Sequence, residues 1–460
     1  MSRLSHLDAA FLHLETASCP MAVGAVLSFA PVPGERMNFQ RLRAQISARL
    51  HRHPAFSQRL QVDQGDYRWQ TVEVDIDRHL RMLQVAAPWQ EGRLQAVVAD
   101  FFSYPLDRQR PLWEALYIEP DPDVAGLKGR GEEPAFILLL KVHHAIVDGV
   151  SAEAILRALF DDLAAVEMAK PVPAQPQPTA LARLGYAAAA LWQRFSVSPW
   201  RDLPTYMRSP ATPFADRQIV DRQQLSVALS MARLQAIKAS APGLTLNDVV
   251  LAGIAGGMRA YLLECGQLPE QSLVAMTPVS RRQQAHGIGG NQISAMLIAL
   301  ATDCDDAVQR LARIHTMSRA AKAHNQALPI EKLLPLVPSQ VLAYGLSAWR
   351  QLRLSRYLPP LFNMVITNVP GSRQPLSFAG FPVARMQGVA PIYEGHAMTI
   401  VVLSYVDQVT LSIATTHAAV PDPVRLRQHI EQAYAELEQQ TVNMPASSPA
   451  PAQPALVRQA

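Results

Sequence analysis

Between residues 167 and 180 the composition breaks abruptly, with Lys-Pro-Val-Pro-Ala-Gln-Pro-Gln-Pro-Thr filling positions 170–179. Proline fixes φ near −65° and has no N–H to donate, so such a stretch joins neither a helix nor a sheet interior and reads as an extended linker. A chain cut in this way folds as two bodies. Its 460 residues exceed one ordinary core and suit two domains of roughly 200 residues each. The expected blocks are an N-terminal domain over residues 1–166, a linker with an amphipathic helix over 167–215, a C-terminal domain over 216–442, and a disordered Pro/Ala/Ser-rich tail over 443–460.

Both long blocks mix strand and helix patterns, giving an α/β or α+β class with mixed sheets covered by helices. In the first, residues 21–30, 112–119 and 135–143 read as strands, residues 38–53 as a helix, and Ser151 opens another helix. In the second, strands are expected at 272–279, 292–301, 362–368, 397–405 and 409–416, and helices at 249–265, 303–323 and 331–354. Thr245 and Asp248 form a variant capping box before the helix at 249, and Asp422-Pro423 places an N-cap and an N1 proline before the last helix. Directly after the linker, Leu181, Leu184, Ala188, Leu191, Trp192 and Phe195 recur at helical spacing, which suits either a membrane-surface helix or a linker helix packed on the domains.

Composition excludes several classes. Lys plus Arg exceeds Asp plus Glu by 42 − 38 = 4, with no basic run interleaved with aromatics, so nothing argues for nucleic acid. Cys19, Cys265 and Cys304 form no CxxC pair and read as inert thiols in a reducing compartment. Asp8 and Glu15 interrupt the only early apolar stretch, and no apolar run approaches the ~20 residues of a membrane span; a cytoplasmic protein is expected. There is no P-loop, no GxGxxG after a strand, no HExxH and no Cys/His cluster at zinc spacing, so neither nucleotide chemistry nor a metal is expected.

Chemistry concentrates where the strand at 135–143 runs out: His143-His144-Ala145-Ile146-Val147-Asp148-Gly149, then a helix. Successive strand side chains point to opposite faces, so His143 and His144 enter different environments and make a poor ligand pair for one metal. A neutral imidazole is instead a good acceptor for the proton that a hydroxyl loses as it attacks an acyl carbon. Asp148 on the turn can fix local geometry by pairing with a basic residue, and Gly149 permits a close backbone approach.

HHxxxDG resembles the motif shared by chloramphenicol acetyltransferase, carnitine acyltransferases, non-ribosomal peptide condensation domains and the bacterial wax ester synthase/diacylglycerol acyltransferases. The remaining chain resembles the last group over nearly its whole length. The residues that carry this are Leu4-Ser5, Asp8-Ala9-Ala10-Phe11-Leu12, Glu15, Pro20-Met21, Pro111-Leu112-Trp113, Leu246-Asn247-Asp248-Val249-Val250, Pro278-Val279-Ser280-Arg281-Arg282, Gly290-Asn291 and Thr367-Asn368-Val369-Pro370-Gly371. His6 and Ser372 depart from the pattern, where proline is usual.

The resemblance implies two chloramphenicol-acetyltransferase-like domains with the active site in a tunnel between them. It implies a fatty acyl-CoA co-substrate and no bound cofactor. It also implies a long-chain alcohol or diacylglycerol acceptor, and His144 as general base in a direct attack with His143 as support. Asp148 would be architectural, pairing with Arg282. Asn247, Asn291 and Asn368 are the side-chain candidates for the oxyanion site, although helix capping and turn formation compete for Asn247 and Asn368; Trp113 reads as packing, with acyl-chain contact the sharper alternative. Attachment to the inner membrane or to lipid inclusions is compatible with this reading. Two alternatives are condensation-type transfer from a carrier-protein thioester and a non-catalytic lipid-inclusion protein of the same fold.

Overall fold

The structure, a computed structural model, describes residues 4, 6–63, 66–85, 91–120, 134–147, 151–161, 209–215, 219–280, 293–327 and 360–442. The Pro-rich linker, the helices expected at 181–196 and 331–354, the tail, Asp148, Gly149, Arg282 and Asn291 lie outside the described residues.

The first half is organised around β6 (Phe136–His143), whose eight residues are all buried. It pairs antiparallel with β1 (Ala22–Phe29) on one side and β5 (Trp113–Pro120) on the other. Beyond β5 lies β4 (Leu80–Val85), parallel to it, and the hairpin β2 (Gln58–Asp63) and β3 (Asp66–Thr71) stands apart. Leu138, Leu140 and Val142 pack into a core with α2 (Phe39–Ser47) and α4 (Ser151–Leu159), while Ile137 and Leu139 face α3 (Glu91–Phe101). Alternation puts Lys141 and His143 on the α3 side. The Lys141 ammonium donates to the carbonyls of Phe101 (2.9 Å) and Tyr104 (2.7 Å), closing the end of α3, and burial pushes it down to about 8.

The second half contains β7 (Arg222–Ser230), α5 (Met231–Ala239), α6 (Leu246–Glu264), β8 (Val274–Ser280), β9 (Ile293–Ala299) and α7 (Ala307–Ala327). After them come β10 (Met364–Pro370), β11 (Ser377–Phe378), β12 (Phe381–Val389), β13 (Met398–Tyr405), β14 (Gln408–Thr416) and α8 (Pro423–Val442). Its sheet runs β7-β14-β13-β10-β8-β9, with the helices packed over one face.

The expected division at 1–166 and 216–442 is crossed twice. β12 pairs antiparallel with β1, extending the first sheet to β11-β12-β1-β6-β5-β4 with strands from the second half. Conversely, Cys19 and Met21 are buried in the core of the second half. The helix expected over 38–53 stops at Ser47 and gives way to two short 3-10 turns, the second opened by Pro54, which cannot continue an α-helix.

The two sheets repeat one plan. The set β1-β6-β5-β4 has antiparallel, antiparallel and parallel pairings, and so does β7-β14-β13-β10. The registers agree: Ala22 faces His143 as Arg222 faces Thr416, and Trp113 faces Val142 as Met398 faces Thr415. Each set ends in a turn and a helix, α4 or α8. His144 N–H donates to Met21 O at 2.8 Å, and His417 N–H donates to Asp221 O at 3.1 Å. His417 is therefore the topological counterpart of His144.

Candidate active site

Strand geometry ends at His143, and the next three residues form a tight turn in which Ile146 N–H returns to His143 O and Val147 N–H to His144 O. The His143 ring has no exposed surface. Its Nδ1 accepts from Ala145 N–H at 3.0 Å, so in the neutral ring the proton sits on Nε2, which lies 3.4 Å from Glu15 Oε1. Glu15, almost wholly buried, also accepts from Met21 N–H (3.0 Å) and from the Arg108 guanidinium (3.0 and 3.2 Å). Burial alone would raise the Glu15 carboxyl, but the contacts from His143, Met21 and Arg108 outweigh it and hold the group below the usual carboxylate range.

His144 turns the other way. The residue as a whole is half-buried, and its ring lies flat against Phe11 of α1 (His6–Leu14), with centroids 3.8 Å apart and interplanar angle 15°. Nδ1 is sealed from solvent, so any group that reaches the ring must do so at Nε2. Burial above all, opposed by the residue's own main chain and helped by nearby His143, brings the imidazole down to about 4. The ring is thus neutral at physiological pH. One helix therefore serves both histidines: Phe11 stacks on His144, and Glu15 just past the helix end holds His143.

The outer side of the turn borders a solvent-open cleft of about 190 Å³, with Ala145 and Ile146 at one wall and Asp8, His53 and Trp69 around it. Among the described residues no group of three or more His, Cys, Asp or Glu side chains could hold a metal ion.

The other sequence candidates disperse. Trp113 is buried, donates from Nε1 to Phe56 O at 3.0 Å and stacks on His79 at 4.5 Å, which makes it a packing residue of the first core. Asn247 stands in the first turn of α6, where Thr245 and Asp248 make the full capping box and Asp248 also meets His315 Nδ1 at 2.9 Å. Asn368 is exposed on β10, in register with Val402. No described contact brings either asparagine to His144. Phe11, Glu15 and Arg108 were not expected to act here; Phe11 and Glu15 stand in the sequence as part of an N-terminal pattern, but nothing local couples them to a strand end more than 100 residues away.

The wax ester synthase/diacylglycerol acyltransferase catalytic domain matches residues 4–250, and the C-terminal domain of the same family matches residues 289–438. A Mycobacterium tuberculosis protein named as a diacylglycerol O-acyltransferase is 32% identical, with 95% of this chain and 99% of the relative covered. A second from that organism, tgs2, is 31% identical over 94% of this chain and 98% of its own length. The solved wax ester synthase/diacylglycerol acyltransferase of Marinobacter aquaeolei VT8 superposes with a TM-score of 0.68 at 27% identity, covering 96% of this chain and all of that one. The first condensation domain of the calcium-dependent antibiotic synthetase shares the fold, at a TM-score of 0.58 and 17% identity, with 96% of this chain and 97% of that one covered. The chain belongs to the wax ester synthase/diacylglycerol acyltransferase family and is an acyl-CoA-dependent O-acyltransferase of that type.

Proposed function

We propose that the enzyme moves a fatty acyl group from acyl-CoA to a long-chain alcohol or a diacylglycerol, with His144 as general base and no acyl-enzyme. The observation that supports this best is the state of His144: a neutral ring clamped under Phe11 with Nδ1 sealed, so that Nε2 is the nitrogen left to take a proton. The acceptor hydroxyl gives its proton to Nε2 as its oxygen attacks the thioester carbon. The tetrahedral intermediate then collapses, the carbon–sulfur bond breaks, and the departing CoA thiolate takes the proton back from the imidazolium. A pKa of about 4 makes His144 a weak base in the resting state, but negative charge developing beside it in the transition state favours its protonation. Asp148 and Gly149 complete the motif in this reading, Asp148 pairing with Arg282, and the oxyanion donor is one of Asn247, Asn291 and Asn368.

The test is thiol release from palmitoyl-CoA, with ester product followed in parallel, against hexadecanol and dioleoylglycerol. His144→Ala is expected to lose about 10²–10⁴-fold in acceptor-dependent turnover. Near-normal turnover removes His144 as base, and the ratio of the two products defines the acceptor.

No helix among the described residues is long and apolar enough to cross a membrane. Peripheral attachment through the 181–196 segment belongs to the same proposal. A Leu191→Glu, Trp192→Glu protein that fractionates with membranes as the wild type does excludes that segment as anchor.

A further inference from the structure

α1 brings Phe11 to His144 and leads into Glu15, yet nine residues are too few for a helix to hold its own shape in water. Its last carbonyls lack intrahelical donors, and the negative end of its dipole lies beside Glu15, a carboxylate only 4% exposed. An anion in such a place needs a cation. Arg108 supplies it: Nη2 donates to Leu12 O at 2.7 Å and to Glu15 Oε2 at 3.0 Å, and Nε reaches the same oxygen at 3.2 Å. On the other side of the carboxylate, Oε1 accepts from Met21 N–H at 3.0 Å and lies 3.4 Å from His143 Nε2. Met21 O in turn accepts from His144 N–H at 2.8 Å. The contacts close into a ring: Arg108 to Glu15, Glu15 to Met21, Met21 to His144, His144 to Phe11, and Leu12, next to Phe11, back to Arg108. Arg108 also stands four residues before Leu112, whose carbonyl accepts from His143 N–H at 3.0 Å. Asp107 folds the segment between them, accepting from Gln109 N–H at 2.9 Å and pairing with Arg110 at 3.2 Å. No described contact joins Arg108 to either imidazole.

We propose that Arg108 is a positioning residue of the acyl transfer: by tying Glu15 to the end of α1 it fixes the His143 ring and the Phe11 ring against which His144 works. The proposal rests on His144 as the base. It assigns Arg108 to the chemical step and not to acyl-CoA binding, because the edge formed by Nε and Nη2 is turned to Glu15 and Leu12. A lysine keeps the charge but lacks the planar two-nitrogen edge that grips Oε2.

Steady-state kinetics with palmitoyl-CoA, and with whichever of hexadecanol and dioleoylglycerol the wild type acylates faster, tests this. Arg108→Ala is expected to lower kcat by about tenfold to 10²-fold, the cost of a slightly misplaced reacting group. The palmitoyl-CoA KM should stay within about twofold of wild type. Arg108→Lys should fall between Arg108→Ala and wild type, and it carries the same test should Arg108→Ala fail to fold by circular dichroism. The Arg108 side chain is 38% exposed, so guanidinium ion at millimolar concentration can enter the gap; it should restore part of the lost kcat in Arg108→Ala and none in Glu15→Gln. The double variant Arg108→Ala, Glu15→Gln should lose much less than the product of the two single losses, since Arg108 acts through Glu15. Wild-type kcat in the folded Arg108 variant, beside an inactive His144→Ala, overturns the positioning role and leaves the base standing. A raised palmitoyl-CoA KM at unchanged kcat overturns it in favour of donor binding, and single losses that multiply in the double variant overturn the route through Glu15. Near-normal turnover in His144→Ala removes the base, and the positioning role with it.

Discussion

Adjacent in sequence, His143 and His144 take opposite tasks because a strand ends between them. One ring is buried on the α3 side with its Nε2 3.4 Å from Glu15 Oε1, and the other lies stacked under Phe11 with its Nδ1 sealed. Alternation predicts that separation only if the strand runs through both residues, whereas β6 ends at His143 and the turn makes it. The partners Glu15, Phe11 and Arg108 were not legible, since Phe11 and Glu15 lie more than 100 residues from the histidines and Arg108 lies 93 residues from Glu15. The pH dependence follows from burial. The folded His144 is lowered from 6.5 to about 4, so its base form persists until the pH falls through about 4, and kcat/KM should lose its acid limb there and not near 6.5. The stability sign is separate: between these two values the unfolded chain binds the proton and the folded one does not, so His144's contribution is complete above 6.5 and lost as pH falls to about 4. His396, stacked on Phe362, is lowered to about 4 in the same way, so the kinetic limb should survive in His396→Gln. A limb near 6.5 in both proteins would refute the assignment. Glu15→Gln tests the support: it removes the charge that His143, Arg108 and Met21 N–H share, and should cost about 1–3 kcal/mol in chemical denaturation with a fall in kcat larger than any change in acyl-CoA KM. Unchanged kcat would make Glu15 a scaffold residue only.

Elements were legible where the signal is local. The Thr245/Asp248 capping box forms as read, because its two hydrogen bonds span three residues and need nothing else. The strands expected at 397–405 and 409–416 are β13 and β14 to within a residue, since a buried antiparallel pair carries its own apolar runs. The hairpin β2–β3, the edge strand β4, and the crossing of β11 and β12 into the first sheet were not legible. Short polar strands lack a distinctive period, and the partner of an edge strand is set by topology, which sequence does not record. Gly24 shows how closely elements are fitted. A Cβ there would sit 1.9 Å from Leu140 O on β6 and 2.6 Å from the Phe102 ring that follows α3, so only glycine lets β1 run between them. Backbone cannot retreat from such a contact without breaking the β1–β6 ladder. Gly24→Ala should therefore cost at least about 3 kcal/mol, read as a lower urea midpoint at unchanged slope. A loss below about 0.5 kcal/mol would mean that β1 moves freely against β6.

At the scale of the molecule, two sheets of one plan end in equivalent turns, and the comparison of those turns argues for one site and not two. His417 follows β14 as His144 follows β6, with the same main-chain bond to the neighbouring strand. Its surroundings differ at every point that matters for base catalysis. Thr416 stands in the place of His143; its hydroxyl accepts from Ala419 N–H at 3.2 Å, and it has no imidazole to turn toward a carboxylate as His143 does toward Glu15. The His417 side chain is exposed and its Nδ1 meets Gln223 at 2.7 Å, and among the described residues no aromatic ring stacks on it. Position in the fold is therefore insufficient; in the proposed mechanism the base depends on the N-terminal helix, which brings Phe11 and Glu15 to the first turn and has no described equivalent at the second. His417→Ala should then leave acceptor-dependent turnover within about twofold of wild type, while His144→Ala abolishes it, in the same assay and preparation. A large loss in His417→Ala with the fold intact by circular dichroism would show that both turns act, and that the second half contributes its own base. Grafting His at position 416 should not create activity in a His144→Ala background, because the carboxylate and the stacked ring would still be missing.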